Sequence, residues 1–193
     1  MSADPHGGGD SDLLTAALAG DEDAFLELYE RHKDRVYRFA YRMTGSPDLA
    51  RDVTQSCFVA LLDGGSRYDG TRAGLGTYLC AAARNLCLRH ATRSWRERPL
   101  SASAELRPSR GPSPEQGLLA DERARLVRAA ILALAPLHRE VLILAEYEEL
   151  GIAAIAQLVG AEVGAVKVRL HRARRRLRAV LEGRPSTKAL VSE

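Results

Sequence analysis

The chain has 193 residues, with 28 Lys and Arg against 25 Asp and Glu, a net charge of +3 and only 5% aromatic residues. That length allows one or two small domains with their own cores, and the dominance of Ala, Leu and Arg favours helices over sheets. No stretch approaches the roughly 20 apolar residues that span a bilayer, and no secretory signal opens the chain, so a cytoplasmic protein without membrane insertion is expected.

Taken in chain order, residues 1–10 read as a flexible tail containing Gly7, Gly8 and Gly9. They lack the Lys and Ser/Thr of a phosphate-binding loop. A short helix is predicted from Ser11 to a stop at Gly20. A second starts at the Asp21 cap, and Phe25, Leu28, Tyr29, Val36, Phe39, Ala40 and Met43 keep helical spacing until Gly45. A third takes Ser46 as N-cap and Pro47 at its first position, and runs through Leu62 to a halt at Gly64 and Gly65. A fourth spans about Gly74 to Arg96. Then Pro99, Pro108, Pro112 and Pro114, with Ser101, Ser103, Ser109 and Ser113, define a flexible linker over residues 97–116, too polar and too broken by proline to pack as a helix. Beyond it come a helix from about Glu115 to Leu134, another opening at Pro136, a short helix and turn over Ile152 to Gly160, a long basic helix, and a tail over residues 184–193. No run alternates as a strand does. The predicted fold is all-α, with two small helical domains at residues 11–96 and 117–183, the second containing a helix-turn-helix.

The basic helix carries Lys167, Arg169, Arg172, Arg174, Arg175, Arg176 and Arg178, and no acid occurs between Val163 and Leu181. Projected at about 100° per residue, Val163, Val166, Leu170, Ala173, Leu177 and Leu181 form one stripe that must face the domain. Opposite lie Gly164, Ala165, Val168, His171, Arg172 and Arg175, with Lys167, Arg169 and Arg176 on the flanks. A helix entering a major groove needs small or apolar residues where bases are closest and cations where it passes phosphates. Ala156 is small enough for two helices to cross closely, and Gly160 tolerates the positive φ of the turn. The competing reading is a solvated cationic face, but such faces normally mix signs.

Two further surfaces stand out in the first domain. Asp48, Asp52 and Gln55 share one face of the third helix, opposite Leu49, Val53, Cys57 and Leu61. That acid on a basic protein points to a protein partner, or to an exposed polar face. Arg84, Arg89, Arg93, Arg96 and Arg98 follow the loop and helix start that hold Arg72, Thr77 and Tyr78. Cations that track phosphates beside an aromatic suit single-stranded DNA; alternatively Tyr78 is core and the arginines are solvated. Cys57, Cys80 and Cys87 are an odd set without a secreted context, which argues against a disulfide framework. A metal site at Cys80, Cys87 and His90 is conceivable, but buried small apolar residues explain the pattern more simply. No phosphate loop, HExxH pair or nucleophile–base set points to an enzyme, and no cofactor is implied. His32, His138 and His171 read as helix-surface or DNA-facing residues.

The stretch LAPLHREVLILAEYEELGIAAIAQLVGAEVGAVKVRLHRARRRLRAVL resembles the promoter-reading region of bacterial sigma-70 family factors of the extracytoplasmic-function subgroup. DLARDVTQSCFVAL is similar to that family's polymerase-docking helix, and RAGLGTYLCAAARNLCL to its promoter-melting segment. The resemblance implies a dissociable specificity subunit that binds core RNA polymerase through the β′ clamp helices and β flap, engages promoter DNA, and is held by an anti-sigma factor. It implies that Asp48, Asp52 and Gln55 meet the clamp helices, and that Arg72, Thr77, Tyr78, Arg84 and Asn85 engage the melted −10 element. Lys167, Val168, Arg169, His171, Arg172 and Arg175 then contact the −35 duplex. Departures from the family pattern are Ser56 for a common Glu, Leu75 and Tyr78 for Phe and Trp, Gly76 and Ala81 for basic residues, Arg89 for Asp, and Ala165 and Val168 for Thr and Ser. The reduced aromatics predict weaker melting, or dependence on a strong −10 element. The alternative is a stand-alone helix-turn-helix transcription regulator with an N-terminal sensing or dimerisation domain, although no heptad seam is evident for its dimer.

Overall fold

The computed structural model describes residues 7–63, 68–71, 73–96 and 118–182. Among these residues the chain is all-helical, with α1 Gly7–Leu18, α2 Glu22–Thr44, α3 Pro47–Leu62, α4 Leu75–Arg96, α5 Leu118–Leu132, α6 Pro136–Glu146, α7 Ile152–Val159 and α8 Val163–Leu181. The chain divides into two compact units, Met1–Ala104 and Glu105–Glu193. The linker expected at residues 97–116 and the tail at 184–193 lie outside the described residues.

In the first unit the expected caps are present. The Asp21 carboxylate accepts from the Ala24 N–H at 3.0 Å and the Ser46 hydroxyl from the Leu49 N–H at 3.2 Å, each satisfying one of the donors that a helix start leaves open. The core is built from Leu28, Val36, Phe39 and Ala40 of α2, Val53, Cys57, Phe58 and Leu61 of α3, and Leu75, Leu79, Ala83 and Cys87 of α4. Phe58 stacks edge-on against Tyr29, ring centroids 4.9 Å apart.

The N-terminal helix differs from the expectation. It starts at Gly7 rather than near Ser11, so residues 7–10 are helix and not tail. Asp10 is buried, and its carboxylate meets Arg31 Nη1 at 3.1 Å and His32 Nε2 at 2.8 Å, both on α2. These partners, more than 20 residues away in sequence, hold the helix start that local propensity does not favour. His32 is accordingly an interhelix partner and not a surface residue.

In the second unit the core comprises Ala130, Ile131 and Leu134 from α5 and the loop after it, Val141, Leu142, Ile143 and Leu144 of α6, Ile155 and Ala156 of α7, and Val166, Leu170 and Ala173 of α8. The Arg139 guanidinium donates to the carbonyls of Leu132 and Leu134, occupying acceptors where α5 ends. After α6 the chain turns through Glu149 at φ 54°, a left-handed conformation that a glutamate adopts only at a cost. The turn is held by the Leu150 N–H on the Leu144 carbonyl at 3.0 Å.

Candidate nucleic-acid interface

The helix-turn-helix closes at Gly160, whose φ of 65° is the left-handed geometry expected from sequence. The Ala161 N–H returns to the Ala156 carbonyl at 3.0 Å, and Ala156 is buried where α7 meets α8. On α8, Val166, Leu170 and Ala173 face inward as projected. The two ends of the projected stripe do not: Val163 is 44% exposed and Leu181 is 48% exposed. Gly164, Ala165, Lys167, Val168, His171, Arg172 and Arg175 are all exposed, on one continuous acid-free surface.

Two arginines of α8 are engaged by acids from α6. Arg174 Nη2 lies 2.7 Å from Glu146 Oε1. Arg169 Nη1 lies 3.9 Å from Oε1 of Glu140, a carboxylate with no solvent exposure. Arg169, on the flank of the projected groove face, is half-buried on the side of this acid. Glu140 itself was missed, although its spacing from buried Ile143 and Leu144 marks the inward face of α6. His138 is held below the usual histidine range by burial and by the nearby charges of Arg172, Arg169 and Arg176. The first turn of α6 therefore borders the cationic helix.

In the first unit, Thr77 and Tyr78 are half-buried in the first turn of α4 and Asn85 is exposed further along it. Arg84 Nη1 donates to Asn85 Oδ1 at 2.9 Å. Arg72 lies outside the described residues. Leu75 is 1% exposed, so it is core and not a partner of Tyr78 at the surface. The second aromatic is Tyr68, whose ring meets Tyr78 edge-on with centroids 5.4 Å apart. Sequence reading missed it because it precedes the quoted motif, within a loop that gives no periodic signal. Gly76 lies under the Arg35 guanidinium: a Cβ there would displace that flexible side-chain end and stand 3.2 Å from His32 Nδ1.

On α3, Asp48, Asp52 and Gln55 are exposed along one face, and Asp48 Oδ1 accepts from Arg51 Nη1 at 2.9 Å. Cys57, Cys80 and Cys87 are all buried free thiols, and burial pushes Cys57 up to about 12, where it is chemically inert. Among the described residues no cluster of His, Cys, Asp and Glu has the arrangement of a metal site, and no helix is long and apolar enough to cross a membrane.

A helical unit that presents an acid-free basic helix behind a tight glycine turn defines a helix-turn-helix DNA-binding protein. Residues 28–97 match the family description Sigma-70 region 2, and residues 124–177 match Sigma-70, region 4. The chain is 29% identical over 174 residues to the ECF RNA polymerase sigma factor SigW of Bacillus subtilis, covering 84% of this chain and 91% of that protein. It is 34% identical over 172 residues to the RNA polymerase sigma factor CarQ of Myxococcus xanthus, covering 84% and 91%. A solved structure of the sigma factor RpoE with the anti-sigma factor NepR, from Bartonella quintana, shares the fold at a TM-score of 0.61 and 22% identity, covering 82% of this chain and 96% of that one. The chain belongs to the RNA polymerase sigma-70 family, in its extracytoplasmic-function subgroup. It is a transcription initiation factor of the alternative-sigma type, which binds core RNA polymerase and directs it to specific promoters.

Proposed function

We propose that the two units divide promoter recognition between duplex and melted DNA. The exposed face of α8, with Lys167, Val168, His171, Arg172 and Arg175, reads the −35 duplex, and Arg169 acts from its flank, 3.9 Å from Glu140. The start of α4 and the loop before it, with Arg72, Thr77, Tyr78, Arg84 and Asn85, engage the opened −10 strand. Tyr68 joins this set, because its ring already stands edge-on to Tyr78. Asp48, Asp52 and Gln55 dock α3 on the β′ clamp helices, while the second unit meets the β flap.

The observation that carries this reading is the distribution of charge on α8: cations and small residues outward, aliphatic residues inward, and no acid along its length. Cations supply a salt-dependent grip on phosphates, and small residues permit close approach to base edges. Linking two weak readers on one chain adds their affinities through effective concentration, provided the promoter elements stand at a spacing the linker can bridge.

The protein acts without catalytic residues of its own, in the cytoplasm, as a subunit of an enzyme it does not replace. An anti-sigma protein is its proposed inhibitor, in keeping with the complex that carries the related RpoE fold. A stand-alone regulator is disfavoured by the region 2 match over the first unit. The test is co-elution of the purified protein with core RNA polymerase, followed by transcription from a promoter library. Binding with initiation at a shared −35/−10 pair is expected. Failure to bind core, with palindromic duplex binding instead, overturns the reading.

A further inference from the structure

The C-terminal half of α2 carries a basic surface that none of the assigned contacts uses. Arg31, Arg35, Arg38 and Arg42 recur at intervals of four, three and four residues, which places them within an arc of about 60° on the helix. Every acid of α2 lies before Arg35, and none follows until Asp48 on α3. Arg31 is already committed, to Asp10 and Glu27. Arg38 is exposed and forms no ion pair among the described residues.

This surface is continuous with the start of α4. The Arg35 guanidinium lies over Gly76, in the space a side chain there would fill, one residue from Thr77 and two from Tyr78. On the adjacent face of α2, Tyr37 and Tyr41 are half-buried and stacked parallel, with centroids 6.1 Å apart and planes within 2°. Cations in a row beside aromatic rings are the composition of a surface that follows a nucleic-acid strand. A solvated helix face would alternate sign, as the first half of α2 does with Glu27, Glu30, Lys33 and Asp34.

We propose that Arg35, Arg38 and Arg42 form a phosphate track on α2 that grips the sugar-phosphate backbone of promoter DNA next to the segment held by α4. This rests on the assignment of α4 to the melted −10 element and extends the DNA-binding surface to a helix with no assigned contact. The charge is supplied from α2 because the first two turns of α4, with Gly76 and Ala81, hold no side-chain cation before Arg84. Arg35 is positioned at the junction by its packing on α4, and Arg38 and Arg42 continue the track away from it.

The test uses the full-length chain bound to core polymerase and a labelled fork-junction DNA whose −10 strand is single-stranded and extended on both sides. The Arg38→Ala, Arg42→Ala double variant is expected to bind this DNA about tenfold more weakly. Its affinity should also fall less steeply with salt, by about 1.4 in log–log slope for two lost single-strand contacts. Arg38→Lys with Arg42→Lys should restore most of both. Unchanged affinity and slope in the alanine variant, while Tyr78→Ala or Asn85→Ala still weaken binding, overturns the track and leaves the α4 assignment standing. If neither pair of changes matters, the assignment of α4 fails and the track fails with it. Loss of core binding with DNA affinity intact assigns the arginines to an acidic protein surface instead, and also overturns the proposal.

Discussion

The two helices proposed to face DNA in this sigma factor are built from different materials. On α8 the outward side chains are solvated cations and small residues, and the helix is anchored from behind by buried Val166, Leu170 and Ala173. At the start of α4 the corresponding ring is half-buried, Tyr78 packing on Tyr68, while further along Arg84 bonds exposed Asn85. A duplex offers a rigid groove lined with phosphates, so a rigid helix with exposed charge suffices. A melted strand offers loose bases, and rings held in place by packing give them a surface to stack on. In one unit the anchor is an apolar stripe behind the proposed reading face, and in the other it is aromatic packing within it.

The sharpest separation of core from interface lies within α4. Leu75→Ala, at a fully buried site, is expected to destabilise the first unit by about 2–5 kcal/mol. Tyr68→Ala and Tyr78→Ala should leave more of that stability intact while weakening promoter opening by about 1–3 kcal/mol per lost base stack. Thermal melting and permanganate footprinting of the open complex measure the two effects. Ordinary opening in the Tyr68 variant would remove that residue from the interface.

A similar contrast divides the arginines of α8. Arg172→Ala is expected to cost about 1–3 kcal/mol of −35 binding, if its contact is to a base edge, with no change in melting temperature. Arg169→Ala removes a cation 3.9 Å from a fully buried carboxylate, and should lower the melting temperature of the second unit along with any loss of binding. Equal melting temperatures for the two variants would show that Glu140 does not depend on Arg169.

Smaller effects come from the connection before α7 and from α6. Glu149→Gly relieves a left-handed backbone and should stabilise the second unit by about 1 kcal/mol, read as a raised melting temperature. His138 is held below its ordinary value of 6.5 in the folded protein, so the unfolded chain takes up its proton first. The sign is therefore a loss of stability as pH falls from 6.5 toward the depressed folded value. His138→Gln should flatten that part of the stability profile, and an unchanged slope would contradict the shift.

Much of the fold was legible because it rests on local rules. Ser46 and Pro47 announce α3, Gly160 announces the turn, and the spacing of Val166, Leu170 and Ala173 orients α8 from one helix alone. What escaped involves partners distant in sequence. Asp10 is buried because Arg31 and His32 come to it from α2, which turns part of an expected tail into helix. Projection marks the inward side of α6 and puts Arg169 on a flank of α8, but does not say that its guanidinium will stand 3.9 Å from the buried Glu140 carboxylate. Tyr68 sits in a loop with no period to read, and Leu75, which stands where the family more often has an aromatic, belongs to the core. With Tyr68 beside Tyr78, the proposed melting segment still presents two rings.

The division of labour is tested most directly by transcription from promoters altered at one element at a time. Holoenzyme would be reconstituted with the wild-type chain, with His171→Ala and Arg172→Ala together, or with Tyr68→Ala and Tyr78→Ala together. The account predicts that the α8 variant loses its preference among −35 sequences but still opens a strong −10 element. The tyrosine variant should keep −35 preference and fail to open. Loss of both properties in both variants, or of neither in either, would contradict it.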